Sequence, residues 1–129
     1  ISTGAMASDA PKTDAGKGAT RLTSAVSYVP LPPLTSATPM GRSIGGMITA
    51  EFGLDIPDER LRNRAIAMRP RIMDALRSAV AEYSLSHYRA GAAPDPTQLT
   101  LMAQQGVDRT MGVRGVRVLI SNVMVTDRR

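Results

Sequence analysis

The chain has 129 residues, of which 43% are hydrophobic and only 3% aromatic, and its formal net charge is +5. This length predicts one domain with a modest core, which aliphatic side chains and Met must fill because Trp is absent. The absence of Cys excludes disulfides and thiol catalysis. No apolar run reaches the roughly 18 residues of a membrane span. Basic residues are interleaved with 11 acidic ones and have few aromatic neighbours, so we expect no nucleic-acid partner.

The first third of the chain predicts a leader followed by extended segments. Residues 1–19 are small, polar and punctuated by Gly and Pro, which predicts a flexible leader, and its GAMA stretch is typical of an expression-vector remnant. A single domain is expected over residues 20–129. Residues 22–29 have strand character, and Pro30, Pro32 and Pro33 then favour an extended edge segment.

Residues 47–56 alternate between apolar and polar side chains more clearly than any other segment. One face would carry Ile48, Ala50, Phe52, Leu54 and Ile56, and the other Thr49, Glu51, Gly53 and Asp55. This period of two predicts a strand with one buried side and one solvated side.

Two helices are expected next. Pro57, Asp58 and Glu59 are typical of a helix start. Apolar residues then recur at helical spacing, at Leu61, Ala65, Met68, Ile72, Leu76, Ala79 and Tyr83. Because this spacing continues past Pro70, we predict one long helix over roughly 58–88, kinked at the proline. Asp95 and Pro96 indicate the start of a second helix, and Gly112 its end.

The last element is a strand over residues 116–125 that is apolar on both faces, and such a strand is normally central in its sheet. With regular alternation, Leu119, Val123 and Val125 point away from the helices. Two helices cover only one side of a small sheet, so these three side chains form the predicted interaction surface. Either another subunit or the chain's own 20–35 segment would cover it. The Pro-rich segment is better suited to crossing to a neighbour, and we therefore expect a homo-oligomer.

The order of strand, strand, long helix, helix, strand predicts an α+β fold. The expected architecture is a small mixed or antiparallel sheet of about three strands, packed on a long kinked helix and a second helix.

Candidate chemistry is sparse. His87 is the only histidine, and with no Cys a zinc site lacks ligands. Ser84, His87 and Asp74 make a triad on paper, but no nucleophile-elbow pattern accompanies them. We expect no catalytic residues, no cofactor and no metal, and hence a protein that is not an enzyme.

Four segments together resemble the periplasmic domain of the FliL family, the flagellar basal-body-associated proteins. They are YVPLPPLT (28–35), GGMITAEFGLDI (45–56), LRNRAIAMRPRIMDALRSAV (61–80), and GVDRTMG followed by VRGVRVLISNVMVT. The family also has a helix with a proline before an Ile-x-Asp-Ala segment, here Pro70, Ile72, Asp74 and Ala75. Its closing strand corresponds to Gly115 through Val125, and the resemblance covers about residues 27–126.

The resemblance implies a stomatin-like fold, a place on the periplasmic side of the bacterial inner membrane, ring-like self-assembly, and contact with the motor stator or other envelope proteins. It transfers no catalytic residue. The family's N-terminal anchor has no counterpart here, so membrane association is expected only through a segment absent from this chain. The alternative is an exported periplasmic binding module of unknown ligand, unrelated to motility.

Overall fold

The computed structural model describes residues 26–40, 43–89 and 92–127. As expected, the fold is α+β, with three helices and a four-stranded antiparallel sheet. The predicted leader, residues 1–19, lies outside the described residues. No helix in the described ranges is long and apolar enough to cross a membrane. In chain order the elements are β1 (Tyr28–Pro30), β2 (Leu34–Met40), β3 (Ser43–Asp55), α1 (Glu59–Ala67), α2 (Arg69–Ser86), α3 (Pro96–Met111) and β4 (Arg117–Asp127).

Strand β3 is the centre of the sheet. It pairs with β4 along Gly46–Asp55 on one side, and with both β1 and β2, one after the other, on its other side. The sheet is therefore three strands wide, as expected, although it contains four. The expectation that the last strand is central is wrong for the part of the chain described, since β4 pairs with β3 alone. The Pro-rich segment likewise stays on its own sheet.

Both neighbours of β3 carry an extra residue at the level of Glu51 and Phe52. On one side Pro30 pairs with Gly53 and Leu34 with Ala50, so three residues of the outer strand stand opposite two of β3. On the other side the register between β3 and β4 shifts between Glu51 and Phe52. An extra residue of this kind interrupts the ladder and increases the local twist.

The predicted alternation of β3 is confirmed on its apolar side. Its residues at even positions from Ile48 to Leu54, and Ile56 just beyond it, are all buried. Helices α2 and α3 pack together over this side, with α2 against β2 and α3 against β4. The core is closed largely by aliphatic residues, joined by Phe52 and Tyr83.

The helix ends follow their local sequence signals. The Asp58 carboxylate accepts a hydrogen bond from the Leu61 amide at 3.0 Å, and Asp95 caps α3 in the same manner. Gly112 ends α3 with a φ of 75°, a left-handed conformation that glycine adopts without a steric penalty.

The predicted long helix is divided into α1 and α2 at the single residue Met68. The Met68 amide bonds back to the carbonyls of Arg64 and Ala65, and its own carbonyl accepts from the Ile72 amide. Pro70 consequently lies in the first turn of α2 rather than inside a helix. An amide at that position has no partner within the helix, so the proline removes no hydrogen bond there. The apolar side of the helices still runs unbroken across the junction.

Replacing Pro70 with Ala is therefore expected to change the free energy of unfolding by less than about 1 kcal/mol. The matched variant Ser78→Pro changes an exposed position in the interior of α2, and it should cost about 3 kcal/mol or more. Urea unfolding of the two variants beside the parent chain measures both effects. A gain of several kcal/mol from Pro70→Ala would show that the proline strains a continuous helix.

Candidate interaction surface

A β-bulge at Ser121 decides which side chains β4 presents on each face. Phe52 pairs with Ile120 and Glu51 pairs with Asn122, which leaves Ser121 as the extra residue. The Ser121 hydroxyl donates to the Glu51 carbonyl at 3.2 Å and helps to hold the bulge. Because residues directly opposite each other share a face, the alternation of β4 shifts by one residue at this point.

The structure divides the predicted patch of Leu119, Val123 and Val125 between two faces. Val123 pairs with Ala50 and Val125 with Ile48, both of which are fully buried. The two valines are half-buried and pack against the core. The expectation that they point away from the helices is therefore wrong, because Ser121 shifts the alternation. Leu119, which precedes the bulge and pairs with Gly53, remains on the outer face.

The outer face is the side of the sheet opposite the helices, and it is mostly polar. By their pairing, its members include Tyr28, Thr35, Met47, Thr49, Glu51, Gly53, Leu119, Asn122, Met124 and Thr126. The hydroxyls of Thr35 and Thr49 form a hydrogen bond across the two strands, with an oxygen–oxygen distance of 3.3 Å. Met47 and Met124 are the most exposed apolar members, at 45% and 52%. Within the described residues no helix covers this face.

Tyr28 is the aromatic residue of the outer face. Its ring lies over Gly53, where a Cβ atom would collide with it, so a larger residue at this position would displace the ring. Burial raises the pKa of the Tyr28 hydroxyl, and the nearby Glu51 carboxylate raises it further. The ring stays in its neutral form at physiological pH and acts as packing.

The outward edge of β4 carries the backbone groups of four apolar residues. The Leu31 amide donates to the Phe52 carbonyl, so the even-numbered residues of β3 direct their backbone groups toward β1 and β2. The residues of β4 that stand opposite them must therefore direct their N–H and C=O groups away from β3. These residues are Val118, Ile120, Val123 and Val125. No other strand among residues 26–40, 43–89 and 92–127 pairs with this row, and we call it the free edge.

Gln104 of α3 occupies the beginning of the free edge. Its Nε2 donates to the Val116 carbonyl at 2.7 Å, and its Oε1 accepts from the Val118 amide at 2.8 Å. Nε2 also donates to the Asp108 carboxylate at 2.9 Å. The side-chain amide thus pairs with β4 as a neighbouring strand would. Beyond Val118 the free edge has no charged residue until Asp127, although edge strands commonly carry charges or prolines that discourage pairing.

A buried carboxylate ties together three distant parts of the chain. Asp55, predicted on the solvated side of its strand, is 0% exposed. Its Oδ1 accepts from the Ser27 hydroxyl at 2.5 Å, and its Oδ2 is 2.6 Å from the half-exposed Arg117 guanidinium. The cluster joins the residue before β1, the end of β3 and the start of β4. Because both carboxylate oxygens are engaged within the protein, the arrangement is structural.

Two grooves open beside these elements. The smaller, about 490 Å³, lies next to Asp55 and is lined also by Arg114, Arg117 and Asp108. The larger, about 670 Å³, lies between α2 and α3 and exposes mainly polar groups. Its charged and amide lining residues are Glu82, His87, Gln98, Gln105 and Arg109.

Ser84, His87 and Asp74 do not form a catalytic triad in the structure. The buried Ser84 hydroxyl donates to the Ala37 carbonyl at 2.7 Å, and Asp74 pairs with Arg77 on the surface. The exposed His87 ring stacks on Tyr83, with ring centroids 6.1 Å apart. Among residues 26–40, 43–89 and 92–127, no cluster of His and acidic residues is suited to holding a metal ion.

Comparisons with known proteins add no relative. No family model matches the chain, and no curated protein matches it.

Asp55→Asn should destabilise the fold by about 1–3 kcal/mol, since it places an amide donor against Arg117 and removes a buried charged acceptor. Asp74→Asn is the matched control. The same change at this exposed ion pair should cost less than about 0.5 kcal/mol. Thermal unfolding of both variants checks the difference, and equal losses would contradict a structural role for the Asp55 cluster.

Gln104→Leu should cost about 1–3 kcal/mol, because it removes both side-chain bonds to the edge of β4. The neighbouring Gln105→Leu changes an exposed residue on the other side of α3 and should fall within about 0.5 kcal/mol of the parent. Amide exchange of Val118 provides a second readout, which should speed up in Gln104→Leu alone. Unchanged exchange would show that Gln104 does not protect this edge.

Proposed function

We propose that this chain is a FliL-like, non-enzymatic interaction domain of the bacterial periplasm. It acts by contact with proteins of the flagellar motor and its stator, or of a related envelope assembly. The observation that carries the interaction role is the free edge of β4, which is uncharged from Val118 to Thr126 and adjoins the outer face, which none of the described helices covers.

An open strand edge favours recognition by strand addition. In this mode the main chain of the partner supplies hydrogen bonds, and side chains on the two faces supply selectivity. Here Ile120 and Val123 offer both of their backbone groups, and the neighbouring outer face offers Leu119 and the exposed Met124. A partner strand would extend the sheet and cover Met124 at the same time.

The cellular setting comes from the resemblance over residues 27–126. It supports a location on the periplasmic side of the inner membrane. The buried Asp55 cluster supports a structural role for the one acidic residue that is fully buried in the described chain, and not a role in catalysis.

A second candidate is an exported periplasmic module that binds a small ligand and has no part in motility. The groove between α2 and α3 favours it, since its volume of about 670 Å³ falls within the usual range for small-molecule sites. Polar groups from both helices, including Gln98 and Arg109, line it.

Swimming of a deletion strain complemented at matched protein levels distinguishes the two candidates. Val123→Pro removes an N–H from the free edge and leaves the ladder between β3 and β4 intact, since proline is tolerated on the open side of an edge strand. We expect this variant to swim poorly, whereas the groove variant Arg109→Ala should swim like the parent. Circular dichroism must show that both variants fold.

The opposite pattern, with loss only in Arg109→Ala, would favour the ligand-binding module. Normal swimming of the deletion strain itself would contradict the flagellar role.

A further inference from the structure

The free edge has an irregular spacing that selects its partner. Outward backbone groups recur every two residues from Val118 to Ile120 and from Val123 to Val125, but Ser121 makes the step between Ile120 and Val123 three residues long. A regular strand repeats every two residues. It can therefore match the free edge on one side of the bulge and falls out of register on the other.

A second copy of this chain carries the same three-residue step. We propose that the free edge of β4 pairs antiparallel with β4 of a second copy, in the register that sets Ile120 opposite Val123 of that copy. The proposal identifies a second copy of the chain as a partner of the free edge. It rests on the proposed function only in taking this edge to be a binding surface.

The register satisfies both faces of the strand at once. Val118 falls opposite Val125 of the second copy on the helix-facing side, where both residues already adjoin the core. Leu119 falls opposite Met124 of the second copy on the outer face, which covers a side chain that is 52% exposed in the single chain. Every apolar residue thus meets another, and the two-fold relation repeats each pair.

Gln104 competes with the second copy for the beginning of the edge. It already holds the Val116 carbonyl and the Val118 amide, so Val118 pairs with Val125 of the second copy only when Gln104 releases these groups. Both backbone groups of Ile120 and of Val123 lie beyond its reach. In the proposed register Ile120 forms a hydrogen-bonded pair with Val123 of the second copy, and the two-fold relation repeats this pair.

Single cysteines test the register, because the chain has none of its own. Leu119 and the second copy's Met124 form a non-hydrogen-bonded pair with an expected Cα separation of about 4.5 Å, within the range of a disulfide. Identical positions lie about 17 Å apart along the strands, which is too far. We therefore expect Leu119→Cys mixed with Met124→Cys to give a covalent dimer on mild oxidation, and neither variant alone to give one.

Thr126→Cys mixed with Leu119→Cys is the off-register control and should stay uncross-linked. Equal cross-linking of the single variants and the mixture would overturn the register. A folded mixture that gives no dimer would overturn the pairing itself.

Light scattering of the unsubstituted chain covers the case in which the cysteine variants fail to fold. A mass that stays at 13.7 kDa up to millimolar concentration would contradict self-pairing. If the chain is monomeric while swimming still depends on the edge of Val123, self-pairing is wrong and the proposed function stands. If the cysteine variants cross-link as expected but the deletion strain swims normally, self-pairing stands and the flagellar role is wrong.

Discussion

The interruption of both ladders at Glu51 and Phe52 is the constraint on which the rest of the sheet depends. β3 itself alternates without a break, but each flanking strand gains one residue at this level. On one flank the buried positions change from Val29 and Leu31 to Leu34. On the other flank the helix-facing positions change from Val118 and Ile120 to Val123, the last two of which are partly buried. The helices can cover one continuous apolar surface only because both flanks change phase together.

The parts of the fold that depend on neighbouring residues could be predicted from the sequence. The buried side of β3, the caps at Asp58 and Asp95 and the left-handed Gly112 each follow from a few adjacent side chains. The existence of β4 also followed from its composition, although its facing did not. Val123 and Val125 are aliphatic and fit either face equally well, so nothing in the strand itself indicates that Ser121 is extra.

The candidate site could be predicted less well, because it is built from residues far apart in the chain. Asp55 and Arg117 are separated by 62 positions, and an acidic residue at a polar position of an alternating strand indicates a solvated side chain. Gln104 lies between buried residues of α3 and carries no capping or motif signal. The division of the long helix at Met68 also does not follow from the sequence, because the apolar spacing continues past Pro70 as it would in one helix, whereas Pro70 lies at a helix start.

The two edges of the sheet differ in a way that limits how far pairing can proceed. The edge formed by β1 and β2 contains Pro30 and is interrupted by Pro32 and Pro33, and Ser84 of α2 occupies the Ala37 carbonyl there. Proline offers no donor to an added strand, so this edge resists extension. The edge of β4 contains no proline, and Gln104 closes only its beginning. The proposed contact between two β4 strands would use the open edge of each copy and leave the proline-bearing edges outside, so this pairing would close at two chains and would not continue into a filament.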